Sequence, residues 1–114
     1  MVEMPLEQFE TLVADALDGI PPELGAAMEN VAVMVDSDSP PGNLLGLYEG
    51  VPLTKRGANY SATTPDRITI YKAAICRMCR SELEVVEEVR RVVIHEVGHH
   101  FGIDDHRLKE LGWG

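Results

Sequence analysis

The stretch HEVGHHFGIDDH, residues 95–106, decides how the rest of the chain is interpreted. Apolar residues recur at three- and four-residue spacing along the segment that leads into it, at Leu83, Val86, Val89, Val93 and Val97. This period predicts one long helix that ends at Gly102, a residue type favoured immediately after a helical C-cap. On such a helix His95 and His99 lie one turn apart on the same face, so both imidazoles can reach a single metal ion.

The residues around the two histidines supply the other parts of a catalytic zinc site. Zinc accepts imidazole nitrogens, and catalytic sites generally combine three protein ligands with one water. Glu96 follows the first histidine, where its carboxylate can take a proton from that water. Asp105 lies ten residues after His95, and a turn at Gly102 would return it beneath the metal. Asp105 is therefore the candidate third ligand.

Neighbouring residues leave other assignments open. Asp105 could instead cap a short helix predicted at residues 105–111, but Asp104 is an equally good cap. His106 could be a replacement ligand, a hydrogen-bond donor behind the ligands or a surface histidine. His100 is about 100° from His99 around the helix, which favours packing or solvent exposure over ligation.

The pattern His95-Glu96-x-x-His99-x-x-Gly102-x-x-Asp105 resembles the extended zinc signature of the metzincin clan, in its variant with aspartate as third ligand. The five-residue core of this motif is weakly specific, and the glycine and aspartate make the whole pattern strong. Residues 67–114 resemble more closely the small bacterial zincin-like metallopeptidases, also called minimal zincins, whereas the N-terminal half matches only in general layout.

This resemblance implies a function as well as a fold. It implies a small twisted mixed β-sheet packed against helices, one of which carries the active site, and hence the α+β class. It implies one zinc ion per chain, held by His95, His99 and Asp105. With Glu96 as general base, such a protein hydrolyses peptide bonds. Residues 1–114 are then expected to form a single zincin-like domain.

The chain departs from the metzincin pattern after the third ligand. Metzincins have a methionine-containing turn there, but the nine residues that follow Asp105 include no methionine. The apolar floor beneath the metal is therefore expected from Leu108, Leu111 or Trp113. The alternative to an enzyme is a non-catalytic or latent zinc-binding protein that keeps the site for stability or interaction.

The other elements are predicted from the spacing of apolar residues and from the positions of turn-forming residues. These are a helix from Pro5 to Gly19, a further turn over 22–25, strands at 31–35, 45–48 and 67–71, a loop with at most one short strand at 51–64, and a helix over 72–80 before a break near Ser81. A peptide or protein substrate is expected to add to the edge of strand 45–48 or to the loop after it. Tyr48, Tyr60 and Tyr71 are equal candidates for stabilising the oxyanion, although tyrosines in strands are more often packing residues.

Composition excludes several partners. Ten basic against nineteen acidic residues give a net charge of −9, which argues against nucleic-acid binding. No apolar run approaches the roughly 20 residues of a membrane helix, and the acidic N-terminus lacks the features of a signal peptide. The cytoplasm is the expected location. Cys76 and Cys79 lack a second ligand pair and are expected to be half-buried thiols. The sequence does not indicate an oligomeric state.

Overall fold

The computed structural model describes residues 1–20, 22, 28, 30–38, 42, 44–51 and 66–110. Its elements are α1 (Leu6–Asp18), β1 (Val31–Asp36), β2 (Gly46–Glu49), β3 (Asp66–Tyr71), α2 (Lys72–Met78), α3 (Glu82–His100) and α4 (Asp105–Glu110). This order of helices around a small sheet confirms the predicted α+β class. No helix in the described part of the chain is long and apolar enough to cross a membrane.

The sheet is mixed, as predicted, with β3 in the centre. β1 pairs with β3 in parallel, with Val33 opposite Ile68. β2 pairs with β3 in the antiparallel sense, with Tyr48 opposite the same Ile68. The strand order β1-β3-β2 leaves β2 at one edge of the described sheet.

One face of this sheet packs against α3, which is also covered by α1. The core joins Phe9 and Val13 of α1, Ile68 and Ile70 of β3, Ile75 of α2, and Val85, Val89, Val92, Val93 and Val97 of α3. Val89, Val93 and Val97 are buried as predicted, but the first turn of α3 differs, because Leu83 is 67% exposed and Val85 is buried. Valines occur on several sides of this helix, so their spacing alone does not fix its rotation.

A side-chain hydrogen bond defines the start of α3. Ser81 is the N-cap, and its hydroxyl accepts from the Glu84 backbone N–H at 3.1 Å. Cys79 is extended, so α2 ends at Met78, two residues earlier than predicted. Most of the predicted turn at residues 22–25 and most of the loop at 51–64 lie outside the described residues.

Candidate metal centre

The last two turns of α3 present His95 and His99 side by side. Their ring centroids are 4.6 Å apart, and the rings meet edge to face. Both Nε2 atoms face one oxygen of Asp105: Oδ1 lies 3.1 Å from Nε2 of His95 and 2.8 Å from Nε2 of His99. The three side chains that the sequence analysis proposed as ligands are therefore brought together at one point.

Asp105 reaches this point because the chain reverses immediately after α3. Gly102 adopts a positive φ of 81°. Its N–H donates to the His99 carbonyl at 2.9 Å, and the Ile103 N–H donates to the Gly98 carbonyl at 3.0 Å. This pair of bonds is a Schellman motif, which favours glycine at the left-handed position. The predicted role of Gly102 at the helix end is thus observed.

The two aspartates after the turn have different partners. Asp104 Oδ1 accepts from the Arg107 backbone N–H at 2.8 Å, and so caps α4. Asp105 opens α4 and directs its carboxylate at the histidines, with its side chain 76% exposed. His106 is 88% exposed on the side chain and faces Glu110, which places it at the surface. The cap and the candidate ligand are therefore separate residues.

A glycine inside the motif allows α4 to pack against α3. A Cβ on Gly98 would lie 2.5 Å from Cδ2 of Leu108, closer than real contacts allow. Leu108 is fully buried in this contact. Leu108 thus holds α4, and with it Asp105, against α3. Leu111 and Trp113, the other two candidates for the apolar floor, lie outside the described residues.

Glu96 is buried between the histidines and the edge strand. Its Oε1 lies 3.2 Å from Nδ1 of His99. On its other side is the bare backbone of Gly46, where a Cβ would lie 2.7 Å from Val92 Cγ1 and 3.1 Å from Glu96 Cγ. Gly46 therefore lets β2 approach α3 closely beside Glu96. Sequence reasoning missed this glycine, although a glycine inside a strand is a known sign of close backbone approach.

Two carboxylates compete for the place of third ligand. His95, Glu96 and His99 each offer a ligand atom within 4.8 Å of the others. However, Glu96 contacts Nδ1 of His99 and Asp105 contacts Nε2, so the two carboxylates lie at opposite nitrogens of one ring. A metal bound at the Nε2 atoms would meet Asp105 and leave Glu96 outside the ligand set. Two imidazoles and a carboxylate are a donor set that suits zinc.

The electrostatics of the site agree with this arrangement. The hydrogen bond from His99 is the largest cause that lowers the pKa of Asp105, and the nearby His95 adds to the effect. The ionised form of this carboxylate is therefore favoured at the site. Nδ1 of His95 is buried and has no hydrogen-bond partner among the described residues.

An open cavity of about 190 Å³ adjoins the site between β2 and α3. It is lined by Leu44, Leu45, Gly46, Arg91, Val92, His95 and Glu96. The cavity is thus bordered both by Glu96 and by the edge strand β2.

Other singled-out residues lie away from the metal centre. Cys76 and Cys79 are both buried, more completely than predicted, and burial is the largest cause that raises the pKa of each thiol. His100 is buried against the sheet, so packing rather than solvent exposure is its role. Tyr48 donates its hydroxyl to Asp66 and Tyr71 is buried, while Tyr60 lies outside the described residues.

The model of the zincin-like metallopeptidase family matches residues 27–113, which is most of the chain. The chain belongs to the zincin-like metallopeptidases. Among solved structures, a conserved hypothetical protein from Thermus thermophilus is similar, with a TM-score of 0.56 and 22% sequence identity. The match covers 95% of this chain and 97% of the other, so this zincin-like protein shares its fold. No curated protein matched the chain.

Proposed function

We propose that this zincin-like protein is a zinc-dependent peptidase that binds one zinc ion through His95, His99 and Asp105. The observation that carries the proposal is the convergence of both Nε2 atoms on one Asp105 oxygen, at 3.1 and 2.8 Å, directly beside the buried Glu96. Zinc bound at such a site lowers the pKa of a coordinated water toward about 7 and polarises a carbonyl group.

Glu96 is the proposed general base. Its carboxylate is buried next to the histidines and contacts the far nitrogen of His99, which supports a role outside the ligand set. It would accept a proton from the attacking water and pass it to the leaving amine. A purely structural metal site requires ligands but no such base.

The edge strand β2 is the proposed place for the substrate. The Tyr71 N–H donates to the Leu45 carbonyl at 3.0 Å, and Gly46 lies opposite Ile70. In an antiparallel ladder this pairing directs the backbone groups of Leu45 toward β3 and those of Gly46 away from it. An extended peptide could therefore bond to Gly46 and lie across Glu96, with a side chain in the adjoining cavity.

The second candidate is a non-catalytic zinc-binding protein. It is favoured by the Glu96–His99 contact, because a carboxylate bonded to the far nitrogen of a histidine ligand is typical of support for metal binding. In that case zinc would stabilise the fold without hydrolysis.

A combined zinc and digestion assay tests the proposal. The protein is stripped of metal, titrated with zinc by calorimetry, and then incubated with a broad peptide library with and without zinc. We expect one zinc per chain and cleavage only in the zinc-loaded sample. Zinc binding without cleavage of any peptide would favour the second candidate, and absence of zinc binding would eliminate both.

A further inference from the structure

A buried polar cluster lies where the sheet meets the last turn of α3. It consists of Tyr48 on β2, Asp66 at the start of β3 and His100 at the end of α3. The Tyr48 hydroxyl donates to Asp66 Oδ2 at 2.6 Å, and Nδ1 of His100 lies 3.0 Å from the same oxygen. Asp66 and His100 are only 2% and 1% exposed. We refer to these three residues as the Asp66 cluster.

The residues that follow β2 also contact Asp66 closely. The Val51 backbone N–H donates to Asp66 Oδ1 at 3.3 Å. A Cβ on Gly50 would lie 2.3 Å from that oxygen, and its φ of +153° is one that other residues rarely adopt. Only a glycine therefore lets the chain pass over the carboxylate. The side chain and the backbone of the edge strand converge on one buried acid.

A buried polar cluster of this kind contributes little to the stability of a core. A buried carboxylate is costly unless hydrogen bonds satisfy it, and apolar side chains of similar volume often give equal or greater stability. The cluster instead fixes the position of β2 relative to α3, because it connects the C-terminal part of that strand to the last turn of the helix. Gly46 fixes the other end of β2 against Val92 and Glu96. The edge strand is thus attached to the active-site helix at two points.

We propose that Tyr48, Asp66 and His100 are positioning residues for hydrolysis. They hold the edge strand at a set distance from Glu96 and His99, so that a peptide added to β2 presents its bond to the base. This inference rests on the proposed peptidase function, but the attachment of β2 to α3 is testable without any substrate.

The test compares Tyr48→Phe with Val13→Ala. The first variant removes one hydroxyl and keeps the ring. The second opens a cavity in the core between α1 and α3, outside the cluster, so it reports loss of stability alone. Both are measured in the zinc-loaded protein, well below their melting temperatures, for zinc affinity, amide hydrogen exchange and the kcat and KM of a cleaved peptide.

We expect exchange in Tyr48→Phe to accelerate in residues 44–51 while zinc affinity stays within about threefold of the parent. We also expect kcat/KM to fall at least about tenfold, since misplacement by 1 Å can cost about 100-fold. Val13→Ala should show neither effect, even when its melting temperature falls as far as that of Tyr48→Phe.

Three outcomes would overturn the proposal. Exchange in residues 44–51 that matches Val13→Ala would show that the cluster does not hold β2. If exchange in Tyr48→Phe accelerates in residues 44–51 but kcat/KM stays within about twofold of the parent, β2 does not position the substrate. A parent that cleaves nothing would refute the proposed function first, and the positioning role with it, whereas the exchange data would still report on the attachment.

Discussion

At the scale of single residues, the site depends on two neighbouring aspartates with different tasks. Asp104 bonds a backbone N–H of α4, and Asp105 bonds the two histidines. The motif spacing predicted Asp105 as the ligand but left a capping role open for it, because aspartate is both a preferred helix cap and a metal ligand. The left-handed turn at Gly102 decides which carboxylate faces α3.

Asp105→Ala should therefore weaken zinc binding by more than about 100-fold, because a two-histidine site remains. Asp104→Ala should cost only the helix cap, about 1 kcal/mol of stability. Both variants remove one negative charge from nearly the same place, so electrostatics alone predicts similar losses. Calorimetric titration of both with zinc makes the comparison. Equal affinities would mean that the third ligand lies elsewhere, with Glu96 or His106 the next candidates.

Zinc affinity should also depend on pH in a defined range. Histidine must be neutral to bind zinc, and free imidazole side chains protonate near about 6.5. The hydrogen bond with His99 lowers the pKa of Asp105, so its carboxylate stays ionised to a lower pH than an ordinary aspartate. We expect the protein to release zinc between about pH 7 and 5. The fluorescence of a zinc indicator measures this release. Zinc affinity that does not change between about pH 7 and 5 would contradict histidine ligation.

At the scale of elements, the short helix α4 matters more than its length suggests. Leu108 is its buried anchor, and Gly98 supplies the space on α3. The sequence identified Leu108 as a candidate for the apolar floor but gave no sign of Gly98, because the contact depends on how two helices cross. The same holds for Gly46, whose partners Val92 and Glu96 lie far along the chain.

Leu108→Ala should lower stability by about 2–5 kcal/mol and also weaken zinc binding, because α4 loses its anchor. Leu17→Ala, in a partly buried position on α1, removes the same atoms away from the site. Unfolding by denaturant and zinc titration are measured on both. Zinc affinity that falls no further in Leu108→Ala than in Leu17→Ala would contradict the anchoring role.

At the scale of the whole molecule, the sequence predicted the elements better than their contacts. The spacing of apolar residues and the positions of turn-forming residues located α1, all three described strands and α3 to within a few residues. The motif spacing placed His95 and His99 on one face, and both meet Asp105. The sequence did not predict the Asp66 cluster, because Tyr48, Asp66 and His100 are polar residues from three elements. Only sheet register and helix rotation together bring them to one point.

The central claim is that this fold holds a zinc site completed by a base, and Glu96→Gln tests it most directly. Glu87→Gln is the matched control, since Glu87 is an exposed glutamate on the same helix. Zinc stoichiometry and peptide hydrolysis are measured on both variants and the parent. We predict that Glu96→Gln retains one zinc and loses hydrolysis, while Glu87→Gln keeps both. Loss of zinc in Glu96→Gln would show that Glu96 is needed to hold the metal, as a ligand or through His99, and retained hydrolysis would show that it is not the base; either result contradicts the account.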